Sequence, residues 1–389
     1  MLFMAGPFFP GAGTSPFRLE GRDRELRTWR RMLTDVGVFG HTQERQLILQ
    51  GVRGVGKTSL LKQFAEDTLR QGGLAVRVRC QTSAREPLME RVRAAVQEAL
   101  QRPPDFADAH GRVVRAAIST PVGGLEVERE LRPESPGLTD TAFMQELVDA
   151  TTEVCRRGGL GLALLVDETQ YADQASLVNL SELVSLIGER DGDKPPLLLC
   201  FAGLPDTVEK VGRSSSHAER VYRTLELGYL DEDSTRDAFL LPVHEAGGRW
   251  TPEALAEAVT VSGGYPAFIQ EYGQAFWELR RDDLIDADVV AEGVRAAGPQ
   301  IEAYFQGAWN AAPPLGRSAL VELARAGGRL RMRELATALG RGSSSEISWA
   351  VDELRRRGTV ARPERGVVVF GRPGMREWVL AQQDDGDDR

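Results

Sequence analysis

Eight consecutive residues, GVRGVGKT from Gly51 to Thr58, have the composition and spacing of a loop that holds phosphate groups. The glycines at positions 51, 54 and 56 let the backbone curl, so that successive N–H groups converge on phosphate oxygens. Lys57 is expected to reach the β- and γ-phosphates, and the Thr58 hydroxyl is expected to bind Mg²⁺. The sequence therefore predicts a nucleoside triphosphate site lined by Gly51, Arg53, Gly54, Val55, Gly56, Lys57, Thr58 and Ser59.

An acidic pair, Asp167 and Glu168, follows the apolar segment Leu160–Val166. At the carboxyl end of a strand beside the phosphate loop, Asp167 would hold Mg²⁺ through water, and Glu168 would orient and deprotonate the attacking water. Paired acids after a strand are often only a solvated turn, but the end of a second buried strand is where a hydrolytic nucleotide site needs them. Glu168 therefore indicates that the chain hydrolyses ATP and does not only bind it.

Apolar runs around these residues predict the elements that position them. A short strand is expected directly before Gly51, and an amphipathic helix is expected to begin near Thr58. The runs around Gly159–Val166 and Leu197–Gly203 are shorter than the roughly 20 residues that a membrane-spanning helix needs. Their length suits strands that are buried on both faces. The predicted fold class is therefore α/β, a parallel sheet of the P-loop NTPase type with helices on both faces.

The composition of the 389-residue chain narrows the function classes. A net charge of −9 argues against a protein that coats DNA or membranes over its whole surface. The widely spaced Cys80, Cys155 and Cys200 are typical of small buried side chains in a reducing compartment, so a cytoplasmic protein is expected. The four histidines are scattered, which argues against a zinc site. The N-terminal segment is broken by prolines and fits neither a signal peptide nor a membrane span.

Beyond these local patterns, the chain resembles the AAA+ class of P-loop ATPases. The resemblance rests on GVRGVGKT, on the strand end VDETQ, and on GRDRE at Gly21–Glu25. More narrowly, the chain is similar to the initiator-like and archaeal or STAND-type branch of that class, over about residues 7–280. The segments shared with that branch are PGAGTSPF at Pro10–Phe17, FAGLPD at Phe201–Asp206 and SGGYPAFIQEYG at Ser262–Gly273.

The resemblance implies roles for residues outside the phosphate loop. The stretch from Pro10 to Arg22 would pass over the adenine, with Arg22 either touching the nucleotide or pairing with an acid. Pro266, in the first turn of a helix, would close against the base or ribose, or would only begin that helix. The strand after the acidic pair usually ends in a polar residue that senses the γ-phosphate. Here that strand offers Ala202 and Gly203, so the sensor is expected to be lost or moved.

An arginine that stabilises γ-phosphate charge in trans is also implied. Arg220, with Arg223 as the second choice, lies just before a predicted edge strand, where the family places such a residue. In an arginine-rich chain most arginines are solvated or salt-bridged, so Arg220 and Arg223 could each have only such a structural role. Because Glu168 is present while the usual sensors are absent, slow and partner-regulated hydrolysis is expected.

The sequence predicts four segments along the chain. They are a nucleotide-binding base domain over residues 1–228, a small helical lid over 229–298, a winged-helix domain over 299–383 and a disordered acidic tail over 384–389. An insertion in the base domain is expected to contain helices at Pro87–Leu100 and Thr141–Arg156 and a β-hairpin around Ile118–Arg132. No chemistry is assigned to this insertion.

The segment from Pro299 to Gln383 carries 13 arginines and 8 acids. It predicts helices at Gly316–Ala326, Arg331–Leu339 and Ser344–Arg357, followed by strands at Thr359–Ala361 and Val367–Phe370. This order is typical of a winged helix, whose third helix can enter a major groove. The candidate DNA contacts are Ser344, Ser345, Arg355, Arg356 and Arg365. Glu346, Asp352 and Glu353 would repel phosphate, so a protein-docking or merely structural winged helix stays an alternative.

The sequence thus predicts an ATPase that uses ATP and Mg²⁺ and whose nucleotide state repositions a C-terminal winged helix. Duplex DNA is the expected partner of that winged helix. The alternative is a STAND-like regulatory switch whose winged helix binds a protein partner. Self-association or a protein partner is expected to supply the arginine, and no membrane partner is expected.

Overall fold

A computed structural model describes residues 6–11, 14–81, 86–101, 141–189, 194–213 and 218–387. The chain forms two compact units. The sheet unit comprises Arg22–Gly51 and Lys57–Glu226, and the helical unit comprises Met1–Gly21, Val52–Gly56 and Leu227–Arg389. The hairpin predicted around Ile118–Arg132 lies outside the described residues.

The sheet unit is built on a five-stranded parallel sheet with the order β2-β3-β4-β1-β5. Its strands are β1 (Gln46–Gln50), β2 (Leu74–Arg79), β3 (Leu162–Asp167), β4 (Leu197–Gly203) and β5 (Tyr222–Glu226). Because every neighbouring pair runs parallel, the carboxyl ends of the strands share one edge of the sheet. That edge brings together Gly51 after β1, Asp167 at the end of β3 and Gly203 at the end of β4.

Helices pack on both faces of this sheet. They are α1 (Asp23–Phe39), α2 (Lys57–Arg70), α3 (Leu88–Gln101), α4 (Thr141–Arg156), α5 (Gln174–Glu189), α6 (Thr207–Gly212) and α7 (Ala218–Val221). Successive residues of β3 point to opposite faces, and all of them are buried. Leu164 joins a core with side chains of α3, α4 and α5, whereas Leu165 is buried on the other face. Trp29 of α1 stacks on Phe64 of α2 with ring centroids 4.7 Å apart. The predicted α/β fold class is confirmed.

The first part of the helical unit consists of helices around an aromatic core. Its elements are α8 (Glu232–Glu245), β6 (Arg249–Trp250), α9 (Pro252–Ser262), α10 (Pro266–Leu279), β7 (Leu284–Ile285) and α11 (Ala287–Ala311). Asp231 caps α8 by accepting a hydrogen bond from the Ser234 N–H at 2.8 Å. Phe8, from the N-terminal segment, packs against Phe239 with centroids 6.1 Å apart. The continuous helix α11 runs through the boundary that the sequence placed between residues 298 and 299.

The C-terminal part has the element order expected of a winged helix. Its elements are α12 (Pro314–Arg325), β8 (Arg329–Arg331), α13 (Met332–Ala338), α14 (Ser345–Arg356), β9 (Val360–Ala361), β10 (Val367–Phe370) and α15 (Met375–Asp387). The strands form an antiparallel sheet with the order β8-β10-β9. β8 was not predicted, because three residues between two helices carry little pattern of their own.

The helix α15 was not predicted either. It is held by the buried Met375 and Val379 and extends to Asp387. It therefore includes residues 384–387 of the segment that the sequence expected to be a disordered tail. Within the described part of the chain, no helix is long and apolar enough to cross a lipid bilayer.

Candidate nucleotide site

The phosphate loop joins β1 to α2 at the carboxyl edge of the sheet. Gly54 and Gly56 have φ angles of 79° and 92°, a left-handed conformation that glycine adopts without strain. α2 begins at Lys57, directly after these turns. The Lys57 ammonium donates to the Gly51 carbonyl at 2.8 Å, which closes the two ends of the loop on each other. The loop and helix therefore have the local geometry that the sequence predicted for phosphate binding.

Thr58 and Asp167 meet although 109 positions separate them in the sequence. The Thr58 hydroxyl donates to Oδ2 of Asp167 at 2.7 Å, while Oδ1 accepts the N–H of Glu168 at 2.9 Å. Asp167 is buried at the end of β3. A hydroxyl and a carboxylate are the hard oxygen ligands that Mg²⁺ takes in triphosphate sites, where substrate phosphates and water complete its shell. These two residues fit a Mg²⁺ ion that is bound mainly through the nucleotide.

Glu168 follows directly and has a strained backbone. Its φ of 54° and ψ of 41° are left-handed values, which non-glycine residues adopt at a cost. Its side chain is partly exposed, so the carboxylate is open to water. One oxygen lies 3.6 Å from the Arg79 guanidinium on the neighbouring β2, and the other accepts a hydrogen bond from the Gln170 amide. The backbone thus presents Glu168 at the same edge of the sheet as the phosphate loop.

Sequence reasoning missed Arg79 and Gln170. Arg79 reaches Glu168 because β2 pairs with β3 in a register that sets Arg79 opposite Asp167. Gln170 lies in the 3-10 helix Thr169–Tyr171, two residues beyond Glu168. The strand register was not readable from the sequence. The sequence signal for Gln170 was the VDETQ strand end itself, which includes this residue.

Family comparison places these residues in a known context. Residues 18–199 match the model of the AAA ATPase domain. Over these residues the chain is similar to AAA ATPase domains. Residues 302–379 match a domain of unknown function (DUF8462). A comparison with curated protein sequences finds no match.

Solved structures resemble this chain at low sequence identity. The Walker-type ATPase PABY2304 of Pyrococcus abyssi superposes with a TM-score of 0.61 and 14% identity, over 94% of this chain and 97% of that one. The RuvB Holliday junction branch migration motor of Thermotoga maritima gives a TM-score of 0.47 and 15% identity, over 90% and 92% of the two chains. The Orc1 protein of Aeropyrum pernix, solved in complex with DNA, gives 0.46 and 16%, over 94% of both. The first of these supports the P-loop ATPase fold.

The predicted arginines of the sheet unit lie in different settings. Arg22 is the buried residue that precedes α1, and desolvation lowers its pKa while the nearby Glu25 opposes that shift. Arg223 on β5 pairs with Glu44 at 3.4 Å. Arg220 is exposed on α7, which precedes β5 and so lies at the amino edge of the parallel sheet. Arg220 is therefore at the opposite edge from Glu168 of its own chain.

In the helical unit, Pro266 begins α10 as the sequence predicted. Its neighbour Tyr265 was not predicted. Tyr265 is buried, and its hydroxyl donates to the carbonyl of Arg53 at 2.7 Å. A Cβ added to Gly54 would lie 2.3 Å from that hydroxyl, so glycine is required there by space as well as by its φ angle. Burial raises the pKa of Tyr265, which keeps the phenol protonated as a donor.

The candidate DNA contacts lie at three places in the C-terminal part: the start of α14, its last turn, and the turn between β9 and β10. Ser344 and Ser345 stand at the start of α14, and Arg365 is exposed in the turn between β9 and β10. Arg355 and Arg356 pair with acids of their own helix, namely Asp352 at 3.8 Å and Glu353 at 2.6 Å. Asp352 and Glu353, which were expected to repel phosphate, thus form ion pairs with Arg355 and Arg356.

Proposed function

We propose that the chain binds ATP with Mg²⁺ and hydrolyses it to ADP and phosphate. The observation that carries this proposal is the Thr58–Asp167 hydrogen bond of 2.7 Å, with Glu168 as the next residue. It links the phosphate loop, a Mg²⁺-binding pair and a base at one edge of the sheet. The AAA ATPase domain over residues 18–199 supports the same activity.

Each residue of this site has a distinct task. The N–H groups of the phosphate loop would hold the β- and γ-phosphates, and Lys57 would exchange the Gly51 carbonyl for phosphate oxygens. Thr58 and Asp167 would hold Mg²⁺, which when bound neutralises phosphate charge. Glu168 would accept a proton from the attacking water as that water bonds to the γ-phosphorus and ADP leaves.

Two substitutions test this proposal. Lys57→Ala is expected to abolish ATP binding, measured by titration with a fluorescent ATP analogue. Glu168→Gln is expected to retain ATP affinity but to lower the single-turnover rate by roughly 10²-fold or more, because the amide cannot take the proton. Lys194→Ala and Glu189→Gln, which change the same residue types at the far end of the sheet, are matched controls and should behave as the natural chain. Unchanged turnover in Glu168→Gln would remove the assignment of the base.

We also propose that the nucleotide state governs the C-terminal part. Two contacts inside the helical unit support this. The Tyr265 hydroxyl, just before α10, donates to the Arg53 carbonyl. Gly358, just after α14, packs on Val52: a Cβ built on Gly358 would lie 2.5 Å from the Val52 Cβ. Both contacts fall on the phosphate loop. Hydrogen exchange of residues 265–279 and 357–361 in Glu168→Gln should therefore differ with and without ATP; identical exchange would contradict the coupling.

Duplex DNA is the proposed partner of the winged helix, reached through the start of α14 and the exposed Arg365. The net positive charge of residues 299–383 supports it. A protein partner is the second candidate, because Trp349 at the middle of α14 is 56% exposed and the neighbouring arginines are already paired. Salt-dependent DNA binding separates the two candidates.

A further inference from the structure

The end of β4 lacks the polar side chain that usually senses the γ-phosphate in AAA+ proteins, as the sequence predicted. Its last residue is Gly203. A Cβ built on Gly203 would lie 2.2 Å from the Thr207 hydroxyl and 2.8 Å from Oε1 of Gln170. Any side chain at position 203 would therefore collide with these two groups. The space that such a side chain would take is filled by polar groups from elsewhere in the chain.

Gln170 is held in this space from three directions. Its Oε1 accepts the N–H of Leu204 at 3.2 Å, and its Nε2 donates to the Glu168 carboxylate. Its main-chain carbonyl accepts the ammonium of Lys210 at 2.7 Å. Turning the amide over would set its NH₂ against the Leu204 N–H and its oxygen against a carboxylate, so only this orientation is satisfied. Gln170 therefore connects the end of β4 to Glu168.

Besides Gln170, Arg79 also approaches the Glu168 carboxylate. Arg79 approaches one oxygen only to 3.6 Å and is itself 58% exposed, so that ion pair is a weak restraint. The Glu168 side chain is 22% exposed, so water can reach it. The Gln170 amide is the close hydrogen-bond donor that fixes the second oxygen. An oriented carboxylate is what general-base catalysis requires, because proton transfer needs the acceptor within hydrogen-bond reach of the water.

We propose that Gln170 is the positioning residue for Glu168 and supplies, from the 3-10 helix, the polar contact that the end of β4 lacks. This inference rests on the proposed ATPase function. Gln170 acts through Glu168 and is not expected to touch the nucleotide. Its loss should therefore slow the chemical step and leave ATP binding intact.

The test uses the full chain, ATP with Mg²⁺ and a single-turnover assay with the protein in excess. Gln170→Met keeps the length of the side chain and removes both hydrogen bonds of the amide. The rate of phosphate formation is expected to fall about ten-fold or more, while the Kd for ATP stays within about two-fold. Gln170→Glu keeps an acceptor for Leu204 but sets a second carboxylate against Glu168, so its rate should fall at least as far. Gln174→Met, an exposed glutamine at the start of α5, is the matched control and should keep the natural rate.

The outcomes distinguish this inference from the ATPase function. If the natural chain hydrolyses ATP, Glu168→Gln blocks hydrolysis and Gln170→Met keeps the full rate, Gln170 does not position the base and the ATPase function stands. If Gln170→Met loses ATP affinity as much as rate, its role is structural and the inference is overturned. If the natural chain itself shows no turnover, the proposed function fails and the inference fails with it.

Discussion

A single arginine illustrates how position in the sheet determines what a residue can do. Arg220 lies before β5, at the amino edge, while Glu168 lies at the carboxyl edge. Strands of five or six residues separate these edges by roughly 17–20 Å. Arg220 therefore cannot serve the site of its own chain by a side-chain movement. If it stabilises γ-phosphate charge, it does so in another copy of this chain.

We therefore expect Arg220→Ala to lower ATP turnover by roughly 10³-fold, the typical effect of such an arginine, without changing ATP affinity. A mixture of Arg220→Ala and Glu168→Gln chains should regain activity, because one chain supplies the base and the other supplies the arginine. The measurement is ATPase rate against mixing ratio at a fixed total concentration. Arg223→Ala, whose arginine is paired with Glu44, is the control and should need no complementation. Full activity of Arg220→Ala alone would exclude this role.

At the scale of elements, one carboxylate joins two helices of the sheet unit. Asp173 caps α5 by accepting the Ser176 N–H at 2.8 Å, and its other oxygen accepts the Leu88 N–H, at the start of α3, also at 2.8 Å. Burial alone would raise the pKa of Asp173, but the hydrogen bonds from Leu88 and Ser176 outweigh it and the pKa is lowered. The charged form is therefore favoured in the folded state.

Asp173→Ala is expected to destabilise the sheet unit by about 2 kcal/mol, since each lost cap costs about 1 kcal/mol. A folded-state pKa below the unfolded value means that this stabilisation is complete above about pH 4 and is lost as pH falls through the folded value. The difference from the natural chain should therefore be full at neutral pH and shrink in acid. Urea unfolding followed by hydrogen exchange of α3 and α5 measures it. Asp149→Ala, an exposed aspartate on α4, is the control; an equal loss there would contradict the capping role.

Elements with a strong local pattern were predictable from the sequence. The phosphate loop, the run before Asp167 and the helix α4 each carry their own signal. The structure has α4 at the predicted Thr141–Arg156, while the strand predicted over Leu160–Val166 spans Leu162–Asp167. Contacts that depend on strand register were not predictable. Arg79 meets Glu168 because of the pairing of β2 with β3, and Gln170 fits only because Gly203 has no side chain. Such contacts join residues far apart in sequence, where no local periodicity reports them.

For the whole molecule, the net charge differs in sign from that of the C-terminal segment, and this difference affects which partners the segment can bind. The chain carries −9 in total, but residues 299–383 contain 13 arginines against 8 acids. Some of these arginines form ion pairs within the domain, because Arg355, Arg356 and Arg362 pair with Asp352 or Glu353. Fewer arginines are therefore available for phosphate than the count of 13 suggests. The exposed Arg365 is the cation whose role in DNA binding can be isolated.

We expect the full chain to bind duplex DNA with an affinity that falls as salt rises, because phosphate contacts release counterions. Arg365→Ala should weaken binding at low salt and reduce the slope of log K against log salt by about one, the effect of one lost phosphate contact. Fluorescence anisotropy with a labelled duplex at 50–200 mM salt, roughly the range over which such contacts weaken, measures both. Arg295→Ala, an exposed arginine of α11, is the matched control.

Trp349→Ala should leave DNA affinity unchanged, since its exposed ring carries no charge for phosphate. Absence of binding even at low salt would contradict the DNA proposal and favour the protein partner, for which Trp349 at the middle of α14 is the anchor to substitute next.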